Sequence, residues 1–177
     1  MGSVFKGIPK ELTLDLAAKY YIHYFIETGT HVGKTALWAS NYFDFVYTVE
    51  SNLAYYSRAQ VTLVDCTNVK QYLGDSSIVL RDILKQVTGS ALVWLDAHWS
   101  PDLIGNKPDK INPMGDEINI LREDGRDHVI LVDDVRLFET EGWPSLQNVT
   151  YNLGYNGRIV SIKDDVLISE PKRPLLR

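Results

Sequence analysis

The most chemically loaded residues of the 177-residue chain are three carboxylates that follow apolar runs: Asp96 in Leu95-Asp96-Ala97-His98, and the neighbours Asp133 and Asp134 after Leu131-Val132. Carboxylate oxygens are what a hard divalent cation such as Mg2+ takes, together with waters and substrate oxygens. Consecutive residues on a regular strand point to opposite faces, so Asp133 and Asp134 could share one ion only where the strand has already ended. Asp133 could equally take a proton as a general base without a metal. His98 is the other candidate base, because imidazole titrates near neutral pH. Beside two tryptophans, Trp94 and Trp99, it could as well be a packed structural residue.

A second signal is Glu27-Thr28-Gly29-Thr30-His31-Val32-Gly33-Lys34-Thr35. Glycines at a strand-to-helix turn let the backbone come close to a ligand, and the helix start offers unpaired N–H groups. The phosphate-binding P-loop needs four residues between its first Gly and Gly-Lys-Thr, and Gly29 and Gly33 are separated by one fewer. The dinucleotide fingerprint also fails, since His31 stands where its second Gly belongs. What remains is Glu-x-Gly-x-x-x-Gly. Glu27, Glu50, Asp75 and Asp96 each follow an apolar run, at intervals of 23, 25 and 21 residues. If those runs are parallel strands, the carboxylates line one edge of a sheet.

The elements needed to place them there are legible. Short apolar and β-branched runs at 24–27, 45–50, 69–73, 91–96 and 128–133 alternate with helix candidates at 34–41, 53–60, 76–86 and 116–123. That alternation marks a doubly wound α/β sheet, with near-continuously apolar strands covered on both faces. At the C-terminus, 158–162 and 166–169 flank Lys163-Asp164-Asp165, which predicts an antiparallel hairpin. The segments 100–114 and 135–157, rich in Pro, Gly, Asn and Asp, leave strand ends where ligands of such sheets bind, and are expected to face substrate. Asp116, Glu117 and Arg136 sit near these loops; Arg136 reads first as an ion pair neutralising the acidic cluster.

Composition sets outer limits. With 45% hydrophobic residues the chain can build a core, which excludes disorder. A net charge of −5 disfavours a nucleic-acid partner. The single cysteine, Cys66, cannot form an internal bridge, no apolar run is long enough to span a bilayer, and residues 1–20 carry charges where a signal peptide needs an apolar stretch. These features predict a soluble, cytoplasmic protein with no membrane partner, folded as one domain over residues 1–177 with a short lead-in at 1–20.

Together these motifs, over roughly residues 25–169, resemble the class I S-adenosylmethionine (SAM)-dependent methyltransferases, closest to the small metal-dependent O-methyltransferases of the catechol, caffeoyl-CoA and macrocin types. The run 133–138, with 95–98 before it, is also similar to a bacterial and viral group of methyltransferase-like proteins. The resemblance implies a Rossmann-like fold of five parallel strands plus an antiparallel hairpin. It implies that Glu27, Gly29, Thr30, His31 and Gly33 border the amino-acid end of SAM. Glu50 would hold the ribose, Asp75 and Ser76 the adenine end, and Ser51 and Asp96 would also border the cofactor. It implies Mg2+ or another divalent cation on Asp96, Asp133 and Asp134, and a catalytic set of Asp96, His98 and Asp133. The activity implied is methyl transfer to a hydroxyl oxygen of a small molecule or sugar.

Two departures stand out. The catechol type has a lysine base three residues after its first metal Asp, where this chain has Trp99, and its longer N-terminal helical extension has no counterpart in the short lead-in. The cleft would then be open to a large substrate or covered by a second copy of the chain. A non-catalytic module binding SAM or S-adenosylhomocysteine (SAH) is the alternative on the same fold.

Overall fold

The computed structural model of the chain describes residues 7–98 and 112–172. Trp99 and most of the expected substrate loop at 100–114 lie outside the described residues.

In chain order the elements are α1 (Lys10–Lys19), β1 (Tyr24–Thr28), α2 (Lys34–Ala39), β2 (Phe45–Glu50), α3 (Leu53–Thr62), β3 (Val69–Leu73), α4 (Ser76–Leu84), β4 (Ala91–Leu95), α5 (Met114–Asp124), β5 (Val129–Val132), α6 (Leu146–Leu153), β6 (Ile159–Lys163) and β7 (Val166–Glu170). One seven-stranded sheet runs β3-β2-β1-β4-β5-β7-β6. The first five strands are parallel, and β7 is antiparallel to both β5 and β6. Each expected strand and helix is present, with ends moved by at most two residues.

Period-two alternation in the central strands builds both faces. Phe25, Leu92, Trp94, Val129 and Leu131 join one core with Leu16 and Ala17 of α1, Ala36 of α2 and Ala59 of α3. Their neighbours Ile26, Val93, Leu95, Ile130 and Val132 join the other with Leu80 of α4, Leu121 of α5 and Leu153 of α6. A strand buried on both faces carries few polar residues, which explains the near-continuous apolar runs; Glu27, Thr28 and Thr48 are buried exceptions in β1 and β2.

Three features depart from the expectations. β3 is not covered on both faces: it is an outer strand, and Val69-Lys70-Gln71-Tyr72-Leu73 is partly exposed along its length, with Lys70 a residue suited to a sheet edge. Within the segment read as the loop 135–157, residues 146–153 form α6, whose Ser145 Oγ accepts the Asn148 N–H at 3.1 Å. The sequence Leu-Gln-Asn-Val-Thr-Tyr-Asn-Leu has little intrinsic helix preference, so the burial of Val149 and Leu153 decides. Residues 10–19, inside the expected lead-in, form α1. No described helix is long and apolar enough to cross a membrane.

The sheet order converts the chain order of the acids into a spatial one. Across the edge where the parallel strands end stand Asp75 after β3, Glu50 at the end of β2, Glu27 near the end of β1, Asp96 after β4 and Asp133 after β5. The chain turns one way from β1 to β2 and crosses back from β3 to β4, so the topological switch lies between β1 and β4. Here Gly29 (φ 86°) packs against the backbone leaving β4: a Cβ on it would lie 2.5 Å from the Asp96 carbonyl oxygen. Gly29→Ala therefore adds a steric clash to a strained φ and is expected to cost about 3 kcal/mol or more of stability, read from urea denaturation midpoints at unchanged slope. A loss below about 1 kcal/mol would show that the two backbones can separate freely.

Candidate active site

The glycine turn is stitched to the neighbouring strand. The N–H groups of Gly29 and Thr30 donate to the Val49 carbonyl at 2.9 and 3.2 Å. Glu50, the last residue of β2, accepts the His31 N–H on Oε2 and the Asn52 N–H on Oε1, both at 2.8 Å. Asn52 in turn caps α3, accepting from the N–H groups of Ala54 and Tyr55. Each Glu50 oxygen thus keeps acceptor capacity, because an ionised carboxylate offers about four lone-pair sites. The exposed His31 has a left-handed backbone (φ 50°), and its ring lies 4.4 Å from that of Tyr55.

Glu27 lies beneath this turn and does not reach out of it. It is 1% exposed, and its Oε2 accepts the Thr48 hydroxyl at 2.7 Å. Because that proton is spent on Glu27, the Thr30 hydroxyl 2.6 Å away must donate to Thr48, giving an ordered chain Thr30 to Thr48 to Glu27. Burial pushes the Glu27 carboxyl up to about 8, against the pull of hydrogen bonds from Thr48 and Thr35, with the Glu50 charge adding to the rise. Asp75, exposed at the start of α4, accepts from the Ser77 N–H and hydroxyl at 2.8 and 2.7 Å as a helix cap; Ser76 is buried and Ser51 exposed.

On the other side of the switch, the Asp96 N–H donates to the Thr28 carbonyl and the Asp133 N–H to the Leu95 carbonyl, both at 3.1 Å. β5 has ended at Val132, so the alternation of faces no longer constrains the acidic pair: the Asp134 backbone is left-handed (φ 62°) and its N–H donates to Asp133 Oδ1 at 2.8 Å. Among the described residues two groupings of ligand-type atoms result, one of Asp96, His98 and Asp134 and one of Asp133, Asp134 and Asp165, each within 4.8 Å. Asp134 is common to both. The imidazole of His98 lies between two carboxylates, Nε2 3.2 Å from Asp134 Oδ2 and Nδ1 3.6 Å from Asp96 Oδ1, with Trp143 against its ring at 5.2 Å. Arg136 pairs with Asp134 Oδ1 at 2.5 Å and with the carboxylate of Asp165.

The crowding has electrostatic consequences. Desolvation, then the charges of Asp133 and Asp134, hold the Asp96 carboxyl well above its ordinary value. Burial and the Asp134 charge push Asp133 up to about 7. Burial lowers the His98 pKa, partly offset by the Asp134 carboxylate, so the ring is neutral at pH 7.

Asp96, His98, Asn112, Glu117, Asp133 and Trp143 line one small cleft. Glu117 is buried there, whereas Asp116 is exposed. Sequence reasoning did not single out Asn112, Trp143, Asp165 or Thr48. For Asn112 a signal existed: Asn-Pro ahead of a helical pattern is a turn and cap signature, and Asn112 Oδ1 accepts the Met114 N–H at 2.9 Å. Its buried Nδ2 has no partner among the described residues.

The Glu27 geometry carries a sign for stability. Its folded pKa lies above the ordinary 4.5, so the folded state keeps a proton that the unfolded chain releases, and stability falls as pH rises from about 4.5 to about 8. In Glu27→Gln that dependence disappears. Unfolding free energies measured at about pH 5 and about pH 8 should show the variant gaining a few kcal/mol relative to wild type at the higher pH. Parallel pH profiles for the two proteins would contradict the buried, protonated Glu27.

No protein family matches the chain, and no curated protein matches it in sequence. Solved structures do. The O-methyltransferase TomG from Streptomyces achromogenes, involved in tomaymycin synthesis and solved with SAM, is 17% identical, with 94% of this chain and 81% of that chain covered at a TM-score of 0.62. An O-methyltransferase from Bacillus cereus in complex with SAH is 15% identical over 94% and 82% of the two chains, also at 0.62. An rRNA methylase from Streptococcus thermophilus is 10% identical over 95% and 99%, at 0.57. At such identities the likeness is one of fold: the chain has the seven-stranded fold of these methyltransferases, five parallel strands closed by an antiparallel hairpin.

Proposed function

We propose that the protein is a SAM-dependent methyltransferase that moves a methyl group to a hydroxyl oxygen of a small molecule or sugar. The observation that carries this reading is the His98 cleft after β4, separated by β1 alone from the β2 end where the Glu50 carboxylate has acceptor capacity to spare, on the same sheet edge. Glu50 suits a ribose diol, whose two hydroxyls need two acceptors at fixed spacing. Gly29, Thr30, His31 and Gly33 would border the amino-acid end, Glu27 holding their turn from below. Ser51 would sit beside the ribose, Asp75 and Ser76 at the adenine end, and Asp96 between cofactor and cleft. When bound, SAM supplies a methyl group on a sulfonium, open to in-line attack by an aligned oxygen.

Within the cleft, His98 is the proton acceptor. Nε2 lies 3.2 Å from Asp134 Oδ2, which favours the tautomer with the proton on Nε2 and the lone pair on Nδ1. Nδ1 takes the hydroxyl proton as the oxygen gains its bond to the methyl carbon and the sulfur–carbon bond breaks to leave SAH, and the Asp134 carboxylate favours the imidazolium that forms. Asp133, held near neutrality, is the alternative acceptor. Asn112 Nδ2 is left to donate to a second oxygen of the substrate, which favours a hydroxyl with another oxygen beside it. A divalent cation does not fit this donor set as it stands, since Asp134 already faces Arg136 with one oxygen and His98 with the other.

The test is transfer of labelled methyl from SAM to a panel of polyhydroxylated compounds, with ribosomal RNA as a rival acceptor. Label is expected on the oxygen of a panel member, with turnover falling about 100-fold or more in His98→Ala at unchanged SAM affinity. Asn112→Ala should raise KM for that acceptor about tenfold. Because the His98 pKa is depressed, wild-type turnover should be full at pH 7 and decline only in acid. Label on RNA alone would contradict the small-molecule reading, and undiminished turnover in His98→Ala would remove His98 as the base.

A further inference from the structure

Four carboxylates, Asp96, Asp133, Asp134 and Asp165, converge at the end of β4, the end of β5 and the turn of the β6–β7 hairpin. The question is what balances them. A divalent cation on Asp96, Asp133 and Asp134 would need free oxygens, and both oxygens of Asp134, the acid common to the two groupings, are engaged. Asp134 Oδ1 is 2.5 Å from the Arg136 guanidinium and Oδ2 is 3.2 Å from His98 Nε2. Asp133 Oδ1 accepts the Asp134 N–H at 2.8 Å. Asp165 binds Arg136 with both oxygens, Oδ1 accepting its backbone N–H at 2.8 Å and Oδ2 its guanidinium. The Val135 N–H adds a bond to the Asp165 carbonyl at 3.0 Å, so the chain leaving β5 is tied to the hairpin at the place where the charge must sit.

We infer that the Arg136 guanidinium, bridging Asp134 and Asp165, occupies the place of a divalent cation, and that the site works without a bound metal. Arg136 is a positioning residue: it reaches the cleft through Asp134, which orients His98. A dication brought to the same oxygens would meet a fixed positive charge within a few ångström, and a guanidinium cannot shed its proton to make room. The inference rests on the methyltransferase reading for what the site does, but not for how its charges are balanced.

The experiment titrates wild type, Arg136→Gln and Arg136→Lys with Mn2+, counting free ion by electron paramagnetic resonance, with Mg2+ as competitor. Wild type and Arg136→Lys, which keeps the charge, should bind no stoichiometric ion. Arg136→Gln, which empties the place, should bind Mn2+ at least about tenfold more tightly than wild type. Thermal melting confirms that each sample is folded, and should Arg136→Gln not fold, the wild-type titration decides. One tightly held Mn2+ in wild type overturns the inference, as does a folded Arg136→Gln that binds no better than wild type. Calorimetry with SAH on the same samples separates the two readings: SAH binding together with a tight Mn2+ overturns this inference alone. Absence of SAH binding overturns the methyltransferase reading and leaves the Mn2+ result to judge Arg136.

Discussion

Like charges crowded at the end of a parallel sheet are the constraint on which the rest of the site depends. Parallel pairing aligns the strand ends, and the order β3-β2-β1-β4-β5 brings an acid from each to one edge. Carboxylates so close and so little hydrated cannot all be ionised without compensation. The structure compensates in three ways. Carboxyl pKa values are raised, as at Glu27 and Asp133. Backbone N–H groups are turned onto carboxylates, as His31 and Asn52 are onto Glu50. A cationic side chain is brought in, as Arg136 is to Asp134 and Asp165. The hairpin accordingly does more than close the sheet, since its turn carries Asp165 and fixes where Arg136 can lie.

The same edge depends on close approach of backbone. Gly29 allows the turn after β1 to touch the chain leaving β4, and from that contact the Glu50 turn and the His98 cleft take their relative placement. Gly33, also with positive φ, faces Ala59 and Leu63 of α3 and its end, where a Cβ would be 3.3 Å from its neighbours. The pattern Glu-x-Gly-x-x-x-Gly therefore has a packing reason in this chain, beside any ligand it serves.

Much of this architecture was legible because burial writes itself into sequence. Runs such as Val129-Ile130-Leu131-Val132 have no polar residue since helices cover both faces, and the acid after each run marks the strand's end. Where the pattern is short the sequence is ambiguous: α6 is rich in Asn, and its helical spacing of Leu146, Val149 and Leu153 spans only eight residues within a segment rich in turn formers. β3 read as a covered strand because its register against solvent depends on its place in the sheet, which no local pattern states. In the site, the candidate acids could be named, but not their partners. Arg136 and Asp165 are 29 residues apart and meet only through the pairing of β5 with β7. Asp75 shows the converse, a residue for which the capping and ligand readings were both open and whose carboxylate here caps α4.

A fold of this kind serves methylation of small molecules and of RNA among the solved proteins it resembles, so the fold by itself does not choose a substrate. The substrate rests on the side chains that line the His98 cleft, and the proposed methyl transfer itself rests first on whether Glu50 holds the ribose of SAM. The most direct measurement is a calorimetric titration of the whole chain with SAH, repeated on Glu50→Ala and set beside ATP. Saturable SAH binding in wild type, lost in a folded Glu50→Ala with ATP inert in both, is the predicted result. Binding of ATP in place of SAH, or SAH binding untouched by the loss of Glu50, would contradict the account.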